Sequence, residues 1–308
     1  MRIHFFKLFI ISLLIIFLQG CCEKDDQQPE TRLKIINIKL TKEEYAFAVS
    51  KSNITLRNEL NNYINNLKNS GNFDSIVDIY TQNGDDSLKT GVKYTTGIVQ
   101  KTDKNLIIAT NCPFEPFEYI NEKEGLIYGI DIEIANAFAK FKGLELVVRN
   151  IDFDDILSEV AAGKADIGMA GITVTEERKK ICDFTDSYFK SFQKLVVDGK
   201  NKDFDKCKTV EDVNKKISSL SNEAIGYQIG TTGNMYVSGD GSENNPGFVN
   251  IKPQGYKTPK EAIDDLLQGK IYATILDDEP ANKLVEEANL EELQQKMSEN
   301  NQNKLLVK

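Results

Sequence analysis

One histidine occurs in the 308 residues, His4, and it falls in an N-terminal stretch that reads as a cleaved signal. The rest of the chain has no histidine for a catalytic triad, a general base or a metal ligand. Cysteine is nearly as sparse: five residues, none in a CxxC pair or at zinc-ligand spacing. Cys112, Cys182 and Cys207 are scattered and read as structural or free, with one disulfide among them left open. No cofactor and no metal is implied. Positive charge is also short. From Cys21 onward 36 basic residues (38 less Arg2 and Lys7) face 47 acidic ones, a formal charge of about −11. This disfavours nucleic acid and anionic bilayer surfaces as partners.

The apolar run Leu8 to Leu18 is too short to span a bilayer. It follows Arg2 and Lys7 and ends in Leu18-Gln-Gly-Cys21, the small-residue, cysteine ending of a lipoprotein signal. Residues 1–20 are therefore expected to be removed, leaving Cys21 as the lipidated first residue of an exported, membrane-anchored protein. An uncleaved anchor fits poorly, because the polar stretch Glu23 to Thr31 follows at once. Residues 21–32 read as a tether.

What remains, roughly 285 residues at 40% hydrophobic composition, is too long for one ordinary core and suits two lobes. Leu33 to Leu40 and Tyr45 to Val49 read as strands. Leu56, Leu60, Tyr63, Ile64 and Leu67 fall at helical spacing, predicting a helix over 54–68, with another helical segment over 73–80. Residues 82–104 are polar and read as a linker or exposed hairpin. A strand at 106–110 then opens an α/β alternation: helix 131–142, strand 144–148, helix 153–162, strand 165–171, helix 175–181. A second series follows, with helices at 209–215, 232–237, 259–268 and 279–288 and strands at 223–228, 249–252 and 271–276. Alternation of this kind predicts mostly parallel sheets flanked by helices.

The segment from Asp166 to Tyr188 is the richest in chemistry. A buried run, Ile167 to Ile172, ends in small and hydroxyl residues and opens a charged helix. Thr173 and Thr175 are N-cap types, and Glu176 would complete a capping box with Thr173. Arg178 then falls in the first helical turn, where a guanidinium can fork onto a carboxylate. A surface ion pair for Arg178 fits the residues equally well. The same grammar recurs near residue 260. One helix ends at Gly163-Lys164 and feeds a buried strand, and another ends at Gly269-Lys270 and feeds a strand finishing at Asp277-Asp278. Each glycine reads as a helix C-cap. Ligands of open α/β sheets lie beyond the carboxyl ends of the strands, so a cationic and an anionic half-site together suit a zwitterion.

These segments resemble the extracellular solute-binding proteins of family 3, which serve bacterial polar amino-acid ABC importers. The resemblance runs through Leu106-Ile-Ile-Ala-Thr-Asn-Cys-Pro-Phe-Glu-Pro-Phe-Glu, Tyr128-Gly-Ile-Asp-Ile-Glu-Ile-Ala-Asn-Ala-Phe-Ala-Lys, residues 166–188, Gly230-Thr-Thr-Gly233 and Ala273-Thr-Ile-Leu-Asp-Asp-Glu-Pro-Ala281. It implies a two-lobe, type II periplasmic-binding-protein-like α/β fold, closing on one free amino acid for an ABC permease. The order departs from the family, whose members end with a crossing strand and helix of the kind found here at Tyr45 to Ile76. A circular permutation is the expectation, with residues 82–104 joining the old termini. An unrelated N-terminal domain is the alternative. Lobe 1 is then 45–193, and lobe 2 is 33–44 with 194–308. The crossing strands fall near Glu44–Val49 and Phe192–Val197.

Carried onto this chain, the resemblance implies that Arg178 grips the α-carboxylate, helped by Thr173 and Thr232, and that Asp278 takes the α-ammonium, helped by the Gly171 carbonyl. Phe114 and Phe153 are implied to sandwich the side chain, with Asn111, Glu115, Gln228 and Asp277 as candidates for reading its far end. Blander roles remain open: Phe114 and Phe153 as core, Glu115 as a rim charge, Asp277 and Asp278 as caps of the following helix. Two other functions share the scaffold. A dehydratase of cyclic dienyl amino acids would need an acid such as Glu115 as proton donor, and a sensory module would need a signalling partner.

Overall fold

A computed structural model describes residues 31–81, 85–241 and 245–306, with side chains described as far as residue 298. The expected signal, Cys21 and most of the tether lie outside the described residues. The chain opens with strands β1 (Leu33–Ile36), β2 (Glu43–Tyr45) and β3 (Ala48–Val49), then helices α1 (Ile54–Asn69) and α2 (Asn72–Thr81). Next come β4 (Tyr94–Thr95), β5 (Asn105–Thr110), β6 (Tyr119–Asn121), β7 (Leu126–Tyr128), α3 (Ile130–Lys142) and β8 (Glu145–Asn150). They lead to α4 (Ile156–Ala161), β9 (Ile167–Gly168), α5 (Glu176–Ile181), β10 (Asp183–Phe184), β11 (Phe189–Ser191) and β12 (Gln193–Asp198). The remainder alternates: α6 (Val210–Ser219), β13 (Ala224–Gln228), α7 (Thr232–Ser238), β14 (Lys252–Tyr256), α8 (Pro259–Leu267), β15 (Ala273–Asp277) and α9 (Asp278–Leu306).

Two sheets organise these elements. One has six strands in the order β10-β3-β9-β5-β8-β4, the other five in the order β1-β12-β15-β13-β14. Each has a parallel core, β9-β5-β8-β4 and β15-β13-β14, extended by antiparallel strands. The two halves are joined by a separate antiparallel ribbon of β2 and β11, in which Tyr45 faces Phe189 and Glu43 faces Ser191. This places the crossing earlier than the sequence suggested on one side. Gln193 to Val197 pair with β15 inside the five-stranded sheet and are buried, so only Phe189–Ser191 is left to cross.

Residues 45–81 pack on the six-stranded half. Strand β3 lies between β9 and β10, and α1, capped by Asn53 accepting from the Leu56 amide, turns Leu56, Leu60 and Ile64 into that core. Tyr63 meets Phe138 of α3 at 5.2 Å between rings, and Arg57 pairs with Asp183 at 2.9 Å. Each fully buried Leu or Ile of this stripe contributes about 1.5–3 kcal/mol. In the other half, Thr209 and Thr258 form capping boxes with Asp212 and Glu261, and Pro259 stands in the first turn of α8. Gly163 and Gly269 take left-handed conformations after α4 and α8, as C-caps require.

Several local expectations are corrected. The strand expected over 165–171 is regular only at Ile167–Gly168, because the chain bends away toward Gly171, which has a positive φ of 54°. Thr175 alone caps α5, accepting from the Arg178 amide, and the Thr173–Glu176 capping box does not form. Thr173 instead bridges Tyr45, and Glu176 pairs with Lys179. The helix expected over 279–288 runs on to Leu306, and the strand expected at 249–252 lies at 252–256. Part of the polar segment 82–104 joins the sheet as β4, parallel to β8.

Candidate functional site

A narrow cleft lies between the two halves, lined by Phe114, Phe153, Gly171, Thr173, Arg178, Thr231, Thr232 and Asp277. The first five come from the six-stranded half, the last three from the carboxyl ends of β13 and β15. The Thr175 cap starts α5 in the direction that buries Arg178, whose guanidinium lies 5.4 Å from the Phe153 ring centre. Its Nη1 donates to the Thr173 carbonyl, and its Nη2 donates across the cleft to the Gly230 carbonyl at 3.0 Å. Burial lowers the Arg178 pKa, opposed by Glu43, Asp277 and Tyr45 nearby. The cation therefore faces a cluster of acidic partners.

Asp277 is the anionic counterpart. The Tyr45 hydroxyl donates to one of its oxygens and Gln193 Nε2 to the other, at 2.8 Å. Burial, and then the neighbouring Glu43, push its carboxyl up to about 7. Glu43 is itself buried on the crossing ribbon and accepts from the hydroxyls of Thr41 and Thr232. Gln193 Nε2 also donates to Thr232 at 3.0 Å. One network thus joins both sides of the crossing ribbon to the cleft. Tyr45, Glu43 and Gln193 were not singled out from the sequence; Glu43 and Tyr45 share β2 while Gln193 lies far along the chain on β12, and they meet only through the crossing.

The structure does not bring Asp278 into this lining. It begins α9, where its side chain accepts from Asn282 Nδ2 at 3.1 Å and faces Lys194 at 3.9 Å. Asp277, one residue earlier on the strand, points inward. Gly171 lies under the Phe114 ring, where an added Cβ would come within 2.6 Å of that ring, so any other residue would clash. Phe114 is both core and lining, packing on Tyr45 and Phe117. Asn111 and Gln228 are buried and bonded to each other across the halves at 2.7 Å, and Asn111 also donates to the Ile151 carbonyl. Neither appears in the cleft lining. Glu115 lies at the rim, 3.5 Å from Lys283 of the opposite half, and Lys257 pairs with Asp152 across the same boundary at 2.7 Å. Cys112, Cys182 and Cys207 are free thiols. Among the described residues no group of three potential metal ligands occurs, and no helix is long and apolar enough to cross a membrane.

Two α/β halves joined by a crossing ribbon, with a charged cleft between them, define a type II periplasmic-binding-protein fold. The profile of the bacterial extracellular solute-binding proteins, family 3, matches residues 106–300, and the chain belongs to that family. It is 31% identical over 167 residues to the arginine-binding extracellular protein ArtP of Bacillus subtilis, covering 54% of this chain and 56% of that protein. It is 32% identical over 139 residues to a probable histidine-binding protein of Neisseria gonorrhoeae, covering 45% and 48%. The chain thus spans about half the length of these curated relatives. Among solved structures, holo ArgBP from T. maritima superposes with a TM-score of 0.51 at 31% identity, over 59% of this chain and 73% of that one. An ancestral arginine-binding protein bound to glutamine gives 0.51 at 30%, over 61% and 77%.

Proposed function

We propose that this protein captures one polar amino acid between its two halves and presents it to a membrane permease of the ABC class. The observation that carries this reading is the pairing in one cleft of a buried guanidinium, Arg178, with a buried carboxylate, Asp277, from the opposite half. A zwitterion satisfies both only when the halves are closed, so binding shifts the population toward closure. Asp277 takes the place first expected of Asp278 as partner of the α-ammonium. Thr173, Thr232 and the Gly171 carbonyl stand beside the two charges, and Phe114 and Phe153 flank the side chain. Asn111 and Gln228, bonded to each other across the halves outside the cleft lining, are both uncharged, which favours a neutral polar side chain. The relatives named for arginine and histidine supply the competing ligands.

The halves in this reading are 45–193 on one side and 33–44 with 194–308 on the other, in a circularly permuted order. The packing of β3 and α1 on the six-stranded half supports the permutation, as does a family match that starts only at residue 106. Export and lipidation at Cys21 belong to the same proposal. Glu115, the acid the dehydratase alternative relied on, is held by Lys283 at the rim, which disfavours that alternative. The test is a thermal-shift screen of the purified protein against the twenty amino acids and cystine. A ligand at a hundred times its Kd adds about 2.7 kcal/mol of stability. Stabilisation by a neutral polar amino acid, with no product formed, is the expected outcome. Stabilisation by arginine and lysine alone would reverse the side-chain reading, and turnover of arogenate or prephenate would replace binding with catalysis. Mass spectrometry of protein from membranes should find an acylated Cys21, and an unmodified, uncleaved N-terminus would remove the anchor.

A further inference from the structure

Beneath the cleft floor lies a pair of acids that the binding reading does not use. Asp131, in the first turn of α3, is fully buried; its Oδ2 accepts from the Gly171 amide at 3.2 Å and its Oδ1 from the Tyr188 hydroxyl at 2.7 Å. Glu118, from the segment before β6, is also fully buried, and neither of its oxygens meets a hydrogen-bond donor among the described residues. We infer that Asp131 is a positioning residue for the ligand: its carboxylate holds the Gly171 peptide that forms the cleft floor, and Glu118 is its neutral companion.

Two buried carboxyls close enough to interact do not both ionise cheaply, so the one with donors takes the charge. Asp131 has two donors and Glu118 has none. Burial followed by the Asp131 charge pushes Glu118 upward, whereas Tyr188 and the Gly171 amide restrain Asp131, which burial still raises to about 7. The titratable groups around Asp131 are Tyr188 and Glu118, with Tyr45 near Tyr188 and Cys112 near Glu118. Gly171 has little freedom of its own, fixed under Phe114 with a positive φ. A charged acceptor on its amide anchors that geometry more firmly than a neutral one, and a negative charge there also favours an ammonium at the neighbouring carbonyl. Both effects vanish when Asp131 takes up a proton.

This inference rests on the cleft binding an amino acid. The test is calorimetric titration of wild type and Asp131→Asn with L-glutamine, and with L-arginine as second probe, from about pH 5.5 to about pH 8.5. Trading a charge-assisted bond for a neutral one should weaken binding about fivefold at the alkaline end. The ratio of the two Kd values should fall to one at the acid end, where Asp131 is protonated in wild type. Because Asp277 titrates in both proteins, its contribution cancels in the ratio. A ratio that is the same at every pH, whether one or larger, overturns the role. Should Asp131→Asn not fold, Tyr188→Phe serves instead. It removes a donor that favours the ionised form, so it should weaken binding most near neutrality and least at either extreme; a uniform effect or none overturns the role. If wild type binds none of the twenty amino acids or cystine, the cleft reading itself fails and this inference with it.

Discussion

Replacing Arg178 by alanine removes the one buried cation of the cleft, and its cost can be worked from the geometry. A guanidinium carries five N–H donors, and two are spent on the carbonyls of Thr173 and Gly230, leaving three for a ligand. A carboxylate engaged by two charge-assisted bonds at roughly 1.5 kcal/mol or more each loses at least about 3 kcal/mol. That is about 150-fold in Kd, enough to take a micromolar ligand out of the useful range. Arg178→Lys keeps the charge but cannot fork onto a carboxylate while also reaching both carbonyls, so an intermediate loss is expected. Calorimetric titration with the amino acid found in the screen measures both, with thermal melting of the unliganded proteins as the check on folding. An alanine variant that melts like wild type and binds within threefold of it would refute the carboxylate-anchor reasoning.

The two adjacent acids give a sharper discrimination. Asp277→Asn should weaken binding by tenfold or more, since it removes the buried counter-charge, whereas Asp278→Asn should stay within about threefold, because a partly exposed carboxylate facing Lys194 contributes little. Asp277 ionises at about 7, so wild-type affinity should fall as pH drops below that value, and Asp277→Asn should flatten the profile; competition titrations across the range measure both. In the unliganded protein the sign is opposite. A carboxyl raised above its unfolded value contributes stability at low pH that is lost as pH rises toward 7, so the Asp277→Asn melting temperature should respond less to pH in that window. The permutation predicts that a chain rebuilt with residues 31–81 placed after residue 306 folds and binds as wild type does. Failure to fold, despite intact expression of both halves, would count against it.

Much of the architecture was legible because it is written locally. The stripe of Leu56, Leu60 and Ile64, the caps at Thr209 and Thr258 and the glycines at 163 and 269 each act within a few residues of themselves. Arg178, Phe114, Phe153, Gly171, Thr173, Thr232 and Asp277 were all named beforehand and all line the cleft. What sequence could not decide was direction. Asp277 and Asp278 are neighbours, and the end of a strand turns one inward while the start of α9 turns the other toward Lys194. Thr173 and Thr175 are equally good caps in isolation, and the bridge to Tyr45 claims the first. Contacts across long separations were invisible: Tyr45 to Asp277, Asn111 to Gln228 and Asp131 to Gly171 each depend on how the elements meet.

The small strand Tyr94–Thr95 has a consequence of its own. It runs along the outer margin of the six-stranded sheet beside Glu145–Asn150, where bare amides and carbonyls would otherwise invite a strand from a second molecule. The stretch that looked like a plain spacer therefore shields that margin, and shortening it would trade a tidier chain for a stickier one.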